Sequence, residues 1–190
     1  MNKVIKGLKL QRIVMEVFGG CNYTCQMCPQ SNPGRAPSLI RKMPLVEFKR
    51  ILDDIVPKYG KPVINLEGSG EPTMAKDLPK YVKVVKSKDL KCFMYCNGAR
   101  LKGDFMKEVI DEGIDFIRFS IIGYNNKKYL QWMNIDNFEL IISNVLEAKE
   151  YIYKSNSKCE LSTYHLITDN DKIDYEIDQY KKNIINILGV

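Results

Sequence analysis

The chain has 190 residues, a net charge of +6, and 45% hydrophobic and 27% charged residues, proportions of a globular protein that exclude disordered and fibrous classes. No apolar run approaches the roughly 20 residues that span a bilayer. Met1–Gly7 has neither the apolar core nor the small-residue cleavage site of a secretory signal, so the expected location is cytoplasmic.

Arg12 to Phe18 is β-branched and apolar and ends at Gly19-Gly20, which predicts a strand running into a turn. A polar loop carrying Pro and Gly follows from Cys21 to about Lys42. Leu45, Phe48, Ile51, Leu52 and Ile55 then recur at helical period, with Pro44 suited to a first turn. Downstream, strands are expected over Pro62–Leu66, Lys91–Tyr95, Asp115–Ile122 and Cys159–Thr168. Helices are expected over Lys76–Lys88, Phe105–Asp111, Asn137–Lys154 and about Lys172–Leu188.

Strands alternating with helices of this length imply βα units and a parallel sheet. The predicted class is α/β, a partial (βα)6-type parallel barrel with about five βα units, forming one domain over residues 1–190. Such sheets place ligands at the C-terminal strand ends. Alternation over Phe116–Ile121 puts Phe116, Arg118 and Ser120 on one face and Ile117, Phe119 and Ile121 on the other. The apolar set would lie under the helices and the polar set inside the barrel, although Arg118 and Ser120 could equally make satisfied interior hydrogen bonds.

Lys and Arg are scattered among Asp and Glu, and clusters such as Lys80–Lys86 fall at helical spacing. That pattern argues against nucleic acid and suits plain solubility or an acidic electron-transfer partner. Six cysteines without an export signal argue for metal or redox chemistry rather than disulfides. Cys92, Cys96 and Cys159 sit in apolar runs and read as small buried hydrophobes. Cys21, Cys25 and Cys28 form C-x3-C-x2-C directly after a strand. Thiolates are soft ligands for zinc, copper(I) or iron–sulfur clusters. A closed zinc site normally takes four ligands, and the lone histidine, His165, lies far away and reads simply as a strand residue. A zinc- or cluster-binding module without enzymatic activity remains the competing reading.

C-x3-C-x2-C after the first strand of an alternating βα chain resembles the cluster loop of the radical S-adenosylmethionine (SAM) superfamily. The resemblance implies that Cys21, Cys25 and Cys28 bind three irons of a [4Fe–4S] cluster whose fourth iron takes SAM. Met27 stands where that family usually has an aromatic residue against adenine. Gly68-Ser69-Gly70-Glu71-Pro72 resembles the Gly-Gly-Glu motif, with Ser69 for a glycine, and implies that Gly70 and Glu71 help bind SAM. Cys96-Asn97-Gly98 resembles a Thr-Asn-Gly turn, and Ser120 matches a serine that bonds the SAM ribose. Read without the family, Glu71 is a surface carboxylate and Asn97-Gly98 a plain turn.

The resemblance further implies reductive SAM cleavage to a 5′-deoxyadenosyl radical, hydrogen abstraction from a peptide or small metabolite, and a flavodoxin or ferredoxin as electron donor. It is greatest to the branch that often carries a C-terminal SPASM domain. The family core usually has six βα units, so the resemblance also implies a chain continuing beyond Val190 or a sheet completed by a partner. A catalytically incomplete fragment is the third reading.

Overall fold

A computed structural model describes residues 9–31 and 41–189; Met1–Gly7, the stretch 32–40 of the Cys21–Lys42 loop, and Val190 lie outside them. Five strands, β1 (Arg12–Val14), β2 (Val63–Asn65), β3 (Cys92–Cys96), β4 (Phe116–Ser120) and β5 (Glu160–Tyr164), form one parallel sheet in the order β1-β2-β3-β4-β5. Every crossover steps to the next strand in the same direction, as in a barrel, whereas a doubly wound sheet reverses its order partway. The α/β class and the count of five strands follow the sequence reading.

Periodic apolar residues build the outer layer. Helix α1 (Leu45–Tyr59) starts after Pro44, whose extended backbone makes it the N-cap rather than a residue of the first turn, and it buries Phe48 and Leu52. Helix α2 (Leu78–Lys86) buries Leu78, Tyr81, Val82 and Val85, and the Phe48 and Tyr81 rings meet edge to face at 5.1 Å. Burying each such side chain contributes about 2 kcal/mol. Helix α3 (Gly103–Asp111) continues the layer beside α2 and packs against α5 (Phe138–Ser155). Ile64, Cys92, Met94, Cys96, Ile117 and Phe119 face this layer and are buried. Cys92, Cys96 and Cys159 are all core residues. At the sheet's N-terminal rim, one Asp115 oxygen accepts from Lys86 at 2.6 Å and from the Cys92 amide at 2.8 Å, a structural clamp remote from the ligand end.

Four features depart from expectation by more than a residue or two at an element's end. The first strand ends at Val14, because the chain leaves the sheet and pairs with the segment before α1. The Met43 amide donates to Val17 at 3.0 Å, the Gly19 amide to Arg41 at 2.8 Å, and Phe18 and Lys42 form an antiparallel bridge. An additional helix, α4 (Asn126–Met133), follows β4, started by the Asn125 side chain on the Lys128 amide and stopped by Asn134 in the left-handed region. The last helix is split into α6 (Ile173–Tyr180), a π-helical stretch over Lys181–Ile185, and α7 (Asn186–Leu188).

The fifth strand stops at Tyr164 because His165 turns into a buried polar cluster. The Gly123 amide donates to His165 Nδ1 at 3.1 Å, so the neutral ring carries its proton on Nε2, 3.6 Å from a Glu176 oxygen. The ring stacks on Tyr180 at 4.6 Å. Burial holds the His165 pKa below its ordinary value against the pull of Glu176. Burial alone would raise Glu176, but the Thr168 hydroxyl and amide and His165 outweigh it and hold that carboxyl low. Both groups therefore bind fewer protons folded than unfolded, and stability is lost as pH falls, first below about 6.5 through the histidine. The melting temperature should drop between pH 7.5 and 5.5, and His165→Gln should flatten that slope; an equal slope in the variant would refute the assignment.

Candidate active site

The βα loops at the C-terminal ends of β1 to β4 converge on a cavity of about 390 Å³. Its wall includes Cys21, Cys25, Cys28, Gly70, Asn97 and Ser120. The trio thus meets the ends of β2, β3 and β4, although Asn97 and Ser120 are remote from it in sequence.

Cys21 is exposed and Cys25 and Cys28 are partly buried; none is in a disulfide. Desolvation, and then the negative charges of Glu71 and Cys28, push the Cys21 thiol up against an opposing bond from the Tyr23 amide. Desolvation and repulsion from Cys21 and Cys28 push Cys25 up to about 12. Crowded thiols of this kind become thiolates only when a metal displaces their protons. Among the described residues, no three His, Cys, Asp or Glu side chains converge closely enough to clasp a single metal ion.

The cysteine loop is held from several sides. Asn97 Nδ2 donates to Asn22 at 2.9 Å and lies 3.9 Å from Cys21 Sγ, and the Tyr23 amide approaches the same sulfur at 3.4 Å. Such donors suit a sulfur that carries thiolate charge. Helix α4 supplies the other wall. The Gln26 amide donates to the Trp132 carbonyl at 2.8 Å, Asn134 to Thr24 at 2.9 Å, and the Tyr129 hydroxyl faces that of Tyr23 at 3.3 Å. Met133 Sδ sits 3.8 Å from Cys25 Sγ and lines the cavity. Met27, by contrast, packs against the hydrophobic core and is not among the cavity-lining residues.

Glu71 lines the cavity from a buried position, and its carboxylate is fully engaged by the protein. One oxygen accepts from the Thr73 amide at 3.0 Å and hydroxyl at 2.6 Å; the other accepts from the Asn97 amide at 2.7 Å. Burial raises its pKa against these three bonds. Its chemistry here is to tie the β2 and β3 loops together. Glu16, which sequence reasoning passed over, does the same for β1 and β2: its carboxylate accepts from the Ser69 amide and from the Gly70 amide, the latter at 3.1 Å. A carboxylate directly after β1 and a glycine loop directly after β2 carry that signal only once the strands are known to be neighbours.

Gly70 is fixed by close approach. A Cβ there would lie 1.9 Å from the Phe18 carbonyl oxygen and 2.8 Å from that of Gly20. The contact brings the β2 loop onto the start of the cysteine loop, where the Glu71 amide donates to Gly20 at 2.8 Å. Ser120, the last residue of β4, is half-buried at the cavity edge.

A parallel sheet of consecutive βα units, with three thiols and a glycine loop in a cavity at its C-terminal rim, defines a cofactor-dependent α/β enzyme. The chain belongs to the radical SAM superfamily: the family profile described as Radical SAM superfamily matches residues 15–184. That family binds a [4Fe–4S] cluster and SAM and carries out SAM-dependent radical chemistry. The three soft donors and the amide groups around Cys21 fit such a cluster.

The chain is 27% identical over 132 residues to a probable GTP 3′,8-cyclase of Thermococcus kodakarensis, covering 70% of this chain and 41% of that one. It is 27% identical over 111 residues to an Fe-coproporphyrin III synthase of Methanosarcina barkeri, covering 58% and 27% respectively. It therefore spans less than half the length of either relative. Among solved structures, SuiB of Streptococcus suis bound to S-adenosylmethionine superposes with a TM-score of 0.66 at 16% identity, covering 92% of this chain and 39% of that one. BtrN in complex with AdoMet and 2-DOIA gives a TM-score of 0.60 at 19% identity, covering 82% and 57%. These likenesses support the fold. Among the described residues, no helix is long and apolar enough to cross a membrane.

Proposed function

We propose that residues 1–190 are a radical SAM core domain in which Cys21, Cys25 and Cys28 each bind one iron of a [4Fe–4S] cluster, leaving the fourth iron to SAM. The observation that carries this reading is the meeting of three free thiols with the Gly70, Asn97 and Ser120 loop ends around one cavity. The chemistry this cofactor pair supplies when bound is one-electron reductive cleavage of SAM, giving methionine and a 5′-deoxyadenosyl radical able to take hydrogen from a C–H bond.

The chain's own residues bind, orient and shield. Gly70 and Ser120 offer backbone and hydroxyl groups at the rim of the SAM position, and Asn97 joins that rim to the Cys21 sulfur. Glu71 and Glu16 act as positioning residues, each holding two βα loops in register. Met133 takes the apolar place beside Cys25 and restricts water there, which lowers the local dielectric and shapes the cluster potential. A small electron-transfer protein, flavodoxin or ferredoxin, would supply the electron, and a reducing cytoplasm suits the free thiols.

The substrate is a peptide or a small metabolite. That reading is supported by two structural neighbours, SuiB bound to the precursor peptide SuiA and BtrN in complex with AdoMet and 2-DOIA. Protein reconstituted anaerobically with iron, sulfide and a reductant should release 5′-deoxyadenosine from SAM. A full cluster that never cleaves SAM would defeat the enzymatic reading, and stoichiometric zinc without sulfide would favour the binding-module alternative.

A further inference from the structure

We propose that the concave face of the sheet binds an oxyanion of the substrate, a carboxylate or a phosphate, on the guanidinium of Arg118 with Arg12 beside it. The proposal rests on the reading above, because the anion would sit beneath the same cavity, whose wall includes Tyr95, Glu67 and Ser120 though neither arginine.

Arg118 is in the middle of β4, on the strand face that points away from the helices. Its guanidinium lies over the Tyr95 ring at 4.2 Å and near Phe116 and Tyr164, each at 5.8 Å. Among the described residues its guanidinium makes no hydrogen bond and no ion pair. A guanidinium carries five N–H donors. Among the described residues none of these is used, although the residue is half-buried in the sheet. The satisfied interior hydrogen bond expected of a structural arginine is therefore missing.

Aromatic stacking leaves the edge of a guanidinium open and fixes its plane, the arrangement that recognises a carboxylate or phosphate in bidentate fashion. Arg12 adds a second cation to the same tyrosine, donating to the Tyr95 hydroxyl at 3.2 Å. The carboxylate that feels both arginines, Glu67, accepts from Asn65 at 2.9 Å on one oxygen; among the described residues its buried second oxygen has no hydrogen-bond partner, and it forms no ion pair with either arginine. Two cations thus face this one carboxylate.

Position supports a substrate contact. Tyr95 itself lines the cavity with the three cysteines and Ser120. Arg118 and Ser120 are on one strand face two residues apart, roughly 7 Å along the chain. An anion seated on Arg118 would hold the rest of a small substrate just beneath the SAM position, so that binding energy from a non-reacting group orients the reacting C–H bond.

The test is calorimetric titration of anaerobically reconstituted protein at fixed ionic strength, with inorganic pyrophosphate in one arm and succinate in the other. At least one anion should bind the wild type, with affinity falling about tenfold or more in Arg118→Gln and less in Arg12→Gln. Binding of pyrophosphate alone assigns a phosphate, and of succinate alone a carboxylate. No binding of either, or equal affinity in wild type and Arg118→Gln, overturns the proposal. Should Arg118→Gln fail to fold, Arg118→Lys serves in its place, since lysine keeps the charge but loses the planar fork. Failure of the cofactor reading shows separately, as missing iron or absent SAM cleavage in the wild-type preparation.

Discussion

Replacing Cys28 by Ala is expected to abolish cluster assembly, dropping iron from roughly four atoms per chain to a small fraction and eliminating 5′-deoxyadenosine release. Two thiolates would not hold a cubane meant for three, and the one further thiol in the cavity wall, Cys96, is buried and held protonated by desolvation, while His165 is not among the lining residues. The fold should hardly notice. Cys28 is only partly buried, in a loop whose backbone bonds, such as its own amide to the Cys25 carbonyl at 3.0 Å, survive the change. The metal-free variant should melt within about 0.5 kcal/mol of the metal-free wild type. A full complement of iron and sulfide in the variant would sink the ligand assignment, and a large loss of stability would show that Cys28 is structural instead.

Gly70→Ala should be as damaging by a different route. The added carbon would sit 1.9 Å from the Phe18 carbonyl oxygen, a backbone atom that cannot rotate away. The β2 loop must then lift off the β1 loop, breaking the Glu71 amide bond to Gly20 and loosening the Glu16 clamp. Overpacking of this severity costs about 3 kcal/mol. If the displaced loop forms the SAM rim as proposed, SAM affinity should fall at least about tenfold, a loss that equilibrium binding to reconstituted protein would measure. Ser69→Ala, one residue earlier at an exposed position, is the control and should change stability by less than about 0.5 kcal/mol. Equal behaviour of the two variants would mean that the close approach at Gly70 is unimportant.

Local features were legible and long-range ones were not. The Cys21, Cys25 and Cys28 spacing announces a shared inorganic centre in any fold that lets the loop curl. The helices α1, α2 and α5 could be read because Leu78, Tyr81 and Val85, for example, recur on one face. Helix α4 escaped: its stretch Asn126–Met133 is polar, and only Tyr129 and Met133 are buried. The signals were Asn125 as cap, an apolar pair four residues apart, and Asn134 as terminator. Phe18 was read as strand because the apolar run from Arg12 ends only at Gly19-Gly20, but beyond the Met15 amide bond to Asn65 the backbone turns to the segment before α1, where Val17 accepts from Met43. The contacts of Glu16, Glu71 and Asn97 join residues 53, 26 and 75 positions apart, and no periodicity encodes which loop meets which. Met27 and Met133 show the same limit: both are plausible apolar neighbours of a cysteine, and only the path of α4 puts Met133 at the cavity.

The antiparallel bridge between Phe18 and Lys42, flanked by the Gly19–Arg41 and Val17–Met43 bonds, ties the two ends of the cysteine loop with backbone alone. Loop-closure entropy is then spent during folding, not when iron arrives. If these thiols hold the cluster as proposed, they would stay at high effective concentration in the empty protein, and a chain stripped of its cluster by oxygen would keep the scaffold on which a new one is built. Repair after oxidative damage becomes a matter of resupplying iron and sulfide, with no need to fold again.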